Sequence, residues 1–289
     1  MFCRPLWVGD MVVGCIRKTI YVLGAFYLGA SASASAADRY IYNPNGTFSK
    51  RGGAGPQSSP VSGFLKSAVG RTDSGNYLWS LRGSVASPLT KSLNAQFDVG
   101  YERIETNGAQ PSTIFGTAHL FLRDPAKYAA GAFVHVGHNE IAGTSAQSYI
   151  GGLEAAAFLG NFTVMAQGGI GTTSTGNNEI YSAKLEGRYY FTDDARVDAQ
   201  VSHNRSDTGL IDLQTTEVAV TGNYRSSESP VTFFGGYRHE FAKASGGGAS
   251  VSTDAGLYFV GAKFQFGSSS LKDEERQGAL WSPIVGYFD

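Results

Sequence analysis

Along most of the chain apolar residues fall on every second position, the spacing of a strand with two chemically different faces. In GLYFVGAKFQFG (256–267) the alternate residues Tyr258, Val260, Ala262, Phe264 and Phe266 are apolar, while Lys263 and Gln265 between them are polar. The same alternation runs through 76–87, 93–105, 113–124, 128–138, 148–159, 162–172, 179–191, 195–204, 215–225 and 231–241. With the opening example these predict eleven clear strands, and 61–71 supplies a weaker twelfth. No helical period of comparable strength interrupts them.

Each predicted strand reaches the roughly 9–11 residues that a tilted transmembrane strand needs. Short connections (PLTKS, DPAK, GN, TDDA, SSESP) alternate with longer ones (TNGAQPS, NEIAGTSAQ, TSTGNNE, RSDTGLIDLQ, AKASGGGASVSTD). Short turns on one side and long loops on the other describe an outer-membrane barrel, turns periplasmic and loops outside. An even strand count brings both ends of the barrel to the short-turn side, which requires segment 61–71.

Parity then separates two surfaces. One face carries almost no charge, as in Leu93, Ala95, Phe97, Val99 and Tyr101, or Tyr181, Ala183, Leu185, Gly187, Tyr189 and Phe191. The opposite parity collects Arg82, Arg123, Lys184, Arg188, Arg196, Arg225, Arg238 and Lys263 against Asp98, Glu102, Glu154, Glu186, Asp198, Glu217 and Glu240. A soluble barrel packs apolar residues inside and charges outside. A side this strongly charged is no dry core, so it is expected to line a polar lumen, with the apolar face toward lipid. Aromatics on the apolar face form two bands, as membrane interfaces favour. Tyr77, Trp79, Tyr101, Tyr149, Tyr181, Tyr237 and Tyr258 lie near the long-loop ends. Tyr128, Phe162, Tyr189, Phe191, Tyr224, Phe264 and Phe266 lie near the short turns. The alternative architecture is a soluble periplasmic β-barrel around an apolar ligand.

Composition agrees with the pattern. Charged residues make up 16% of the 289 residues, below the roughly 25% of soluble domains; the 38 glycines, 15 tyrosines and 18 phenylalanines suit a β-rich wall. A formal charge of −1 with no basic stripe predicts no nucleic-acid partner. At the start, Arg17 and Lys18 precede an apolar run from Ile20 to Ala30 and a small-residue stretch, Ala34-Ser35-Ala36, before Ala37. That order predicts a cleaved signal peptide over 1–36. Both cysteines, Cys3 and Cys15, fall within it. Without Arg4, Arg17, Lys18 and Asp10, 20 basic and 23 acidic residues remain, a formal charge of −3. Residues 37–60, with PNG, RGGAG and PQSSP, read as a flexible periplasmic linker. The barrel is expected over 61–266 and a periplasmic C-terminal tail over 267–289, with LKDEERQ there a helical turn.

The alternation from Tyr258 to Phe266 resembles the aromatic-ended terminal strand of bacterial outer-membrane β-barrels, which the barrel-assembly machinery reads. The likeness is one of pattern over about 61–266, porin-like and without a family-specific motif. The 23 residues that follow Phe266 depart from it. It implies an all-β, closed antiparallel transmembrane barrel of 12 strands in the bacterial outer membrane, partnered by outer-membrane lipid and the assembly machinery.

Twelve strands lie between the side-chain-filled barrels of about eight and the water-filled channels of 16 to 18. The near-balanced lumen charges predict a narrow, weakly selective pore for small polar solutes. Phe115, Phe121, Phe133, Phe158, Phe234 and Phe259 share the inward parity and would narrow it, so the alternative is a plugged structural or surface-recognition barrel. A third reading, an outer-membrane lipid hydrolase, would carry a His-x-Ser motif, and none of His119, His135, His138, His203 and His239 has Ser two residues on. SHNRSD (202–207) has suitable residue types near an outer loop, but His203 takes the lipid-side parity. His135 and His138, three apart on a strand, face opposite sides and make poor paired metal ligands. No phosphate-cradling loop, zinc spacing or dinucleotide motif is present, so no cofactor and no catalytic residue is expected.

Overall fold

The computed structural model describes residues 40–42, 48–50, 61–106, 110–141, 144–174, 178–209, 211–226 and 229–286. The expected signal peptide lies outside the described residues. Within the expected linker a short antiparallel ribbon pairs β1 (Tyr40–Tyr42) with β2 (Phe48–Lys50); the rest of that segment is also outside them.

Twelve strands follow: β3 (Ser62–Thr72), β4 (Tyr77–Pro88), β5 (Leu93–Glu105), β6 (Ser112–Asp124), β7 (Tyr128–Ile141) and β8 (Thr144–Leu159), then β9 (Phe162–Thr173), β10 (Glu179–Thr192), β11 (Ala195–Asp207), β12 (Asp212–Arg225), β13 (Val231–Gly246) and β14 (Ala249–Phe266). Each pairs antiparallel with its chain neighbours, and β14 closes the barrel on β3, with Phe266 opposite Gly63 and Val260 opposite Val69. Segment 61–71, the weakest in pattern, is therefore the strand that seals the sheet. Closure leaves no edge, so the backbone groups in the wall find partners without water.

At the short-turn end the observed strand limits lie within a residue of the alternation. At the other end several strands run further. β7 and β8 approach through Ile141 opposite Thr144, and β13 and β14 stay paired to Gly246 opposite Ala249. The links expected at 139–147, 205–214 and 242–254 are thus largely strand. In the last of these Lys243 and Ser245 alternate with Ala242 and Ala244, and Ser250 and Ser252 flank Val251, and ladder hydrogen bonds need no apolar face. At the β13–β14 tip, Gly247 and Gly248 both take positive φ, 60° and 82°, the backbone of a two-residue hairpin turn that glycine adopts freely.

The faces are inside out relative to a soluble barrel. On β10, Ser182, Lys184, Glu186, Arg188 and Tyr190 are buried within the barrel, whereas Tyr181, Leu185, Tyr189 and Phe191 are exposed outside. Leu153 is 71% exposed and Ile170 67%, positions only a non-aqueous surrounding accommodates in such number. This is a transmembrane barrel, the architecture of the bacterial outer membrane. Among the described residues no helix is long and apolar enough to cross a membrane; the strands do so.

Five inward phenylalanines sit directly across the ladder from glycine: Phe115 from Gly100, Phe121 from Gly131, Phe133 from Gly152, Phe234 from Gly261 and Phe259 from Gly236. A Cβ on Gly100 would lie 2.3 Å from the Phe115 ring, and one on Gly152 2.5 Å from Phe133. The rings lie over the bare glycine backbone instead of reaching to the barrel axis, an aromatic–glycine pairing that shields backbone and pins register.

Beyond Phe266 the chain turns at Gly267 (φ 77°) and forms a short helix, α1 (Leu271–Gln277), capped by Ser270, whose side chain accepts from Asp273 N–H at 3.0 Å. Lys272 Nζ contacts Asn161 Oδ1 at 2.8 Å and Asp193 at 3.3 Å, and Arg276 donates to Gly160 C=O at 3.1 Å. These clip α1 across the β8–β9 and β10–β11 turns. Residues 279–286 are then buried inside the barrel. Of the tail expected in the periplasm, α1 spans the mouth and residues 279–286 lie in the lumen, because its carboxylates and apolar residues find partners on the wall.

Candidate functional site

The candidate site is the lumen with the C-terminal segment that fills it. Alternation on every strand turns polar groups inward, so Arg82, Asp98, Glu102, Arg123, Glu154, Lys184, Glu186, Arg188, Arg196, Glu217, Arg225, Arg238 and Lys263 are buried in the interior, with Asp198 and Glu240 half-buried on the same side. The aromatics singled out for the two bands all face outward. Tyr77, Tyr128, Tyr149, Tyr181, Tyr189, Phe191, Tyr224, Tyr258 and Phe264 are well exposed, Trp79, Phe162 and Tyr237 slightly less so, and Tyr101 and Phe266 half-buried. Several stack in pairs, Tyr237 on Tyr258 with ring centroids 4.7 Å apart and Trp79 on Tyr101 at 5.0 Å.

Wall side chains grip the segment mainly by its backbone. Gln96 accepts from the N–H of Leu280 at 2.8 Å and of Trp281 at 3.1 Å, and its own NH2 donates to Trp281 C=O at 2.8 Å. Arg82 reaches the same carbonyl at 3.1 Å. Arg123 donates to the carbonyls of Gln277 (2.8 Å) and Gly278 (2.7 Å), Gln167 to Ser282 (3.0 Å), Lys184 to Pro283 (3.0 Å) and Arg238 to Gly286 (2.6 Å). The Lys184 ammonium also donates to Ser282 Oγ at 2.6 Å. Between these polar clamps the apolar side chains find slots. Trp281 and Leu280 pack with Phe121, Ala129, Ala156, Phe158 and Met165; Ile284 and Val285 pack with Phe115, Phe133, Ile150 and Ile180. Trp281 meets Phe121 edge-on at 5.7 Å.

The helix contributes charge. Glu274 pairs with Lys263 at 2.6 Å and accepts from Gln265. Glu275 accepts from Thr163 Oγ1 at 2.6 Å and lies 3.1 Å from Arg188 and 3.9 Å from Arg196. Burial of Glu275 opposes its ionisation, but the guanidinium groups of Arg188 and Arg196 outweigh that and hold its carboxyl below the usual carboxylate range. Wall pairs complete the network: Arg188 with Glu186 at 2.6 Å, Arg196 with Asp198 at 2.7 Å, Arg82 with Asp98 at 3.2 Å and Arg238 with Glu217. His119 bridges Asp98 (3.0 Å) and Glu154 (2.9 Å). A space beside Val285 measures about 20 Å³ and another, among wall residues that include Glu186, Asp198 and Arg238, about 10 Å³, room for little more than a water molecule each.

Beside the charged groups of the wall, uncharged inward groups hold the tail or its anchors: Gln96, Gln167, Gln265, Thr163 and Tyr190; the charge pattern along the strands does not single them out. The signal for the tail was its own composition. LWSPIV is too apolar to rest in water, and DEER carries carboxylates toward a wall rich in cations. Among the histidines, His135 is buried and bonds Thr117 at 2.8 Å, while His203 faces outward and bonds Thr216 at 2.9 Å. Ser202, its neighbour, faces inward and donates to Glu217 at 2.7 Å, so SHNRSD is split between the two faces. Among the described residues no group of three or more His, Cys, Asp or Glu is placed to hold a metal.

No family model and no curated protein matches the sequence. Among solved structures the fold is similar to an outer membrane channel from Pseudomonas putida F1, at 16% identity, covering 75% of this chain and 100% of that one with a TM-score of 0.50. It is also similar to the KdgM porin (9% identity, 70% and 99% covered, TM-score 0.47). The translocator domain of the autotransporter NalP from Neisseria meningitidis matches at 14% identity, with 73% and 90% covered and a TM-score of 0.44. At these identities the likeness is one of fold, that of outer-membrane β-barrels.

Proposed function

We propose that the protein is an outer-membrane channel for small polar solutes, held closed by its own C-terminal segment. The observation that carries this is the nature of the occupant. A lumen that accepts a polypeptide segment bearing a tryptophan, and that solvates its backbone with polar wall groups, is wide and polar enough for small solutes once the segment is withdrawn. The mouth spanned by α1 is the short-turn one, so release acts from the periplasm. Deep burial of Trp281 and Ile284 favours the second reading, a permanently plugged structural barrel. Catalysis is not part of this reading: His119 and His135 are packed in the interior, and His203, bonded to Thr216, sits on the outer wall that faces lipid.

Planar-bilayer recording of the full chain and of a chain ending at Phe266 tests the reading. The full chain is expected to be closed most of the time and the shortened one to give stable conductance steps. Silence from the shortened, folded barrel would overturn the channel and leave the structural barrel standing.

A further inference from the structure

The charges of the wall and of the segment that covers it are not independent. Near the periplasmic mouth, Arg188, Arg196 and Lys263 converge on α1, and among the described residues the wall itself offers them Glu186 and Asp198 as paired carboxylates. Glu274 and Glu275 supply the remainder, and Glu274 is the one carboxylate paired with Lys263 among the described residues. Arg123 and Arg225 are buried nearby, and their hydrogen-bond partners among the described residues are neutral: Asn94 Oδ1 and the Gln277 and Gly278 carbonyls for the first, the Ser229 and Ser268 carbonyls for the second. Buried cations demand compensating negative charge or oxygen dipoles, and here the C-terminal segment delivers both.

We propose that this ring of cations is an anion-selectivity site of the channel, which the segment occupies as a substitute for solute. Glu274 and Glu275 take the places of solute carboxylates, and the carbonyls on Arg123 take those of further anionic oxygens. Withdrawing the segment leaves the ring with more positive than negative charge inside a low-dielectric wall, which attracts anions and repels cations. Guanidinium groups favour planar, two-oxygen acceptors, so the solutes admitted are small organic anions bearing carboxylates. The inference rests on the channel reading and replaces the weak selectivity that the near-balanced wall charges suggested.

The test is the reversal potential of the chain ending at Phe266 in a potassium chloride gradient, repeated with potassium acetate. Chloride and acetate are each expected to pass at least about threefold more readily than potassium. Adding Arg188→Gln and Arg196→Gln to the shortened chain should bring that ratio close to unity while conductance persists. Where shortening prevents folding, the full chain with Glu274→Gln and Glu275→Gln serves instead, its openings becoming more frequent and keeping the anion preference. Conductance without preference, or with preference for potassium, overturns the inference and leaves the channel standing. A folded barrel silent in both forms overturns the channel reading and the inference with it.

Discussion

Gln96 engages Trp281 on both sides of its residue, accepting from its N–H and donating to its C=O. A side-chain amide on a barrel wall thus does for one residue of the segment what a neighbouring strand would do, and it fixes the depth at which the indole enters its slot. Gln96→Leu removes this clamp and leaves the N–H groups of Leu280 and Trp281 to find other partners, while Arg82 still donates to the Trp281 carbonyl. The expected cost to docking is about 1–3 kcal/mol, read as faster protease cleavage within 268–286 on folded barrels in detergent.

Trp281 tests the packing half of the same contact. Its indole N–H makes no hydrogen bond among the described residues, so the ring contributes through burial. Trp281→Ala is expected to weaken docking by about 3–5 kcal/mol, with barrel unfolding in urea changed far less, since the wall ladder does not depend on it. Equal loss in both would mean that the segment is part of the barrel's core and not a separable occupant.

Acid should loosen the segment. The docked Glu275 carboxyl is held below its ordinary range by Arg188 and Arg196 after burial is overcome. A carboxyl depressed in the docked state contributes its stabilisation above the undocked value, about 4.3, and loses it as pH falls through the docked one. Arg276 lies 3.5 Å from the same carboxylate, and Glu186 and Asp198 share its guanidinium partners. Protease access to the segment is therefore expected to be unchanged from pH 7 to 5 and to rise below about pH 4, with Glu275→Gln removing most of that rise.

Leu153→Arg tests the orientation of the wall. On a water-facing surface replacing an exposed leucine by arginine is nearly neutral, but at mid-depth in a bilayer it costs about 2–4 kcal/mol. Folding yield into lipid vesicles should fall accordingly, while the same change at Leu89, in the β4–β5 turn, should have little effect.

Much of this architecture was legible in the chain because a period of two is hard to produce by other means. Residues 93–101 and 181–189 alternate without a break, and the strands predicted over 93–105 and 179–191 lie within a residue of those limits. The closing strand was weakest to read: Ser67 and Ala68 blur the two faces, and only the even count required it. Strand ends beyond the lipid were missed because a polar alternation such as that around Ser250 and Ser252 resembles a loop until its pairing partner is known. The five phenylalanine–glycine pairs were invisible to single-strand reading, since each depends on the register between two strands. Sequence periodicity could not place the tail either. Its contacts join residues such as Gln96 and Leu280 across the barrel, and no local pattern records that.

Residues 279–286 occupy the lumen, and a single thiol tests that most directly. In a chain starting at Ala37, Ser282→Cys supplies the one cysteine, because Cys3 and Cys15 are absent. Labelling of the folded barrel by a small polar thiol reagent is predicted to be slow, and to become fast after unfolding or with Trp281→Ala. Labelling of the folded barrel as fast as that of the unfolded chain would contradict the account.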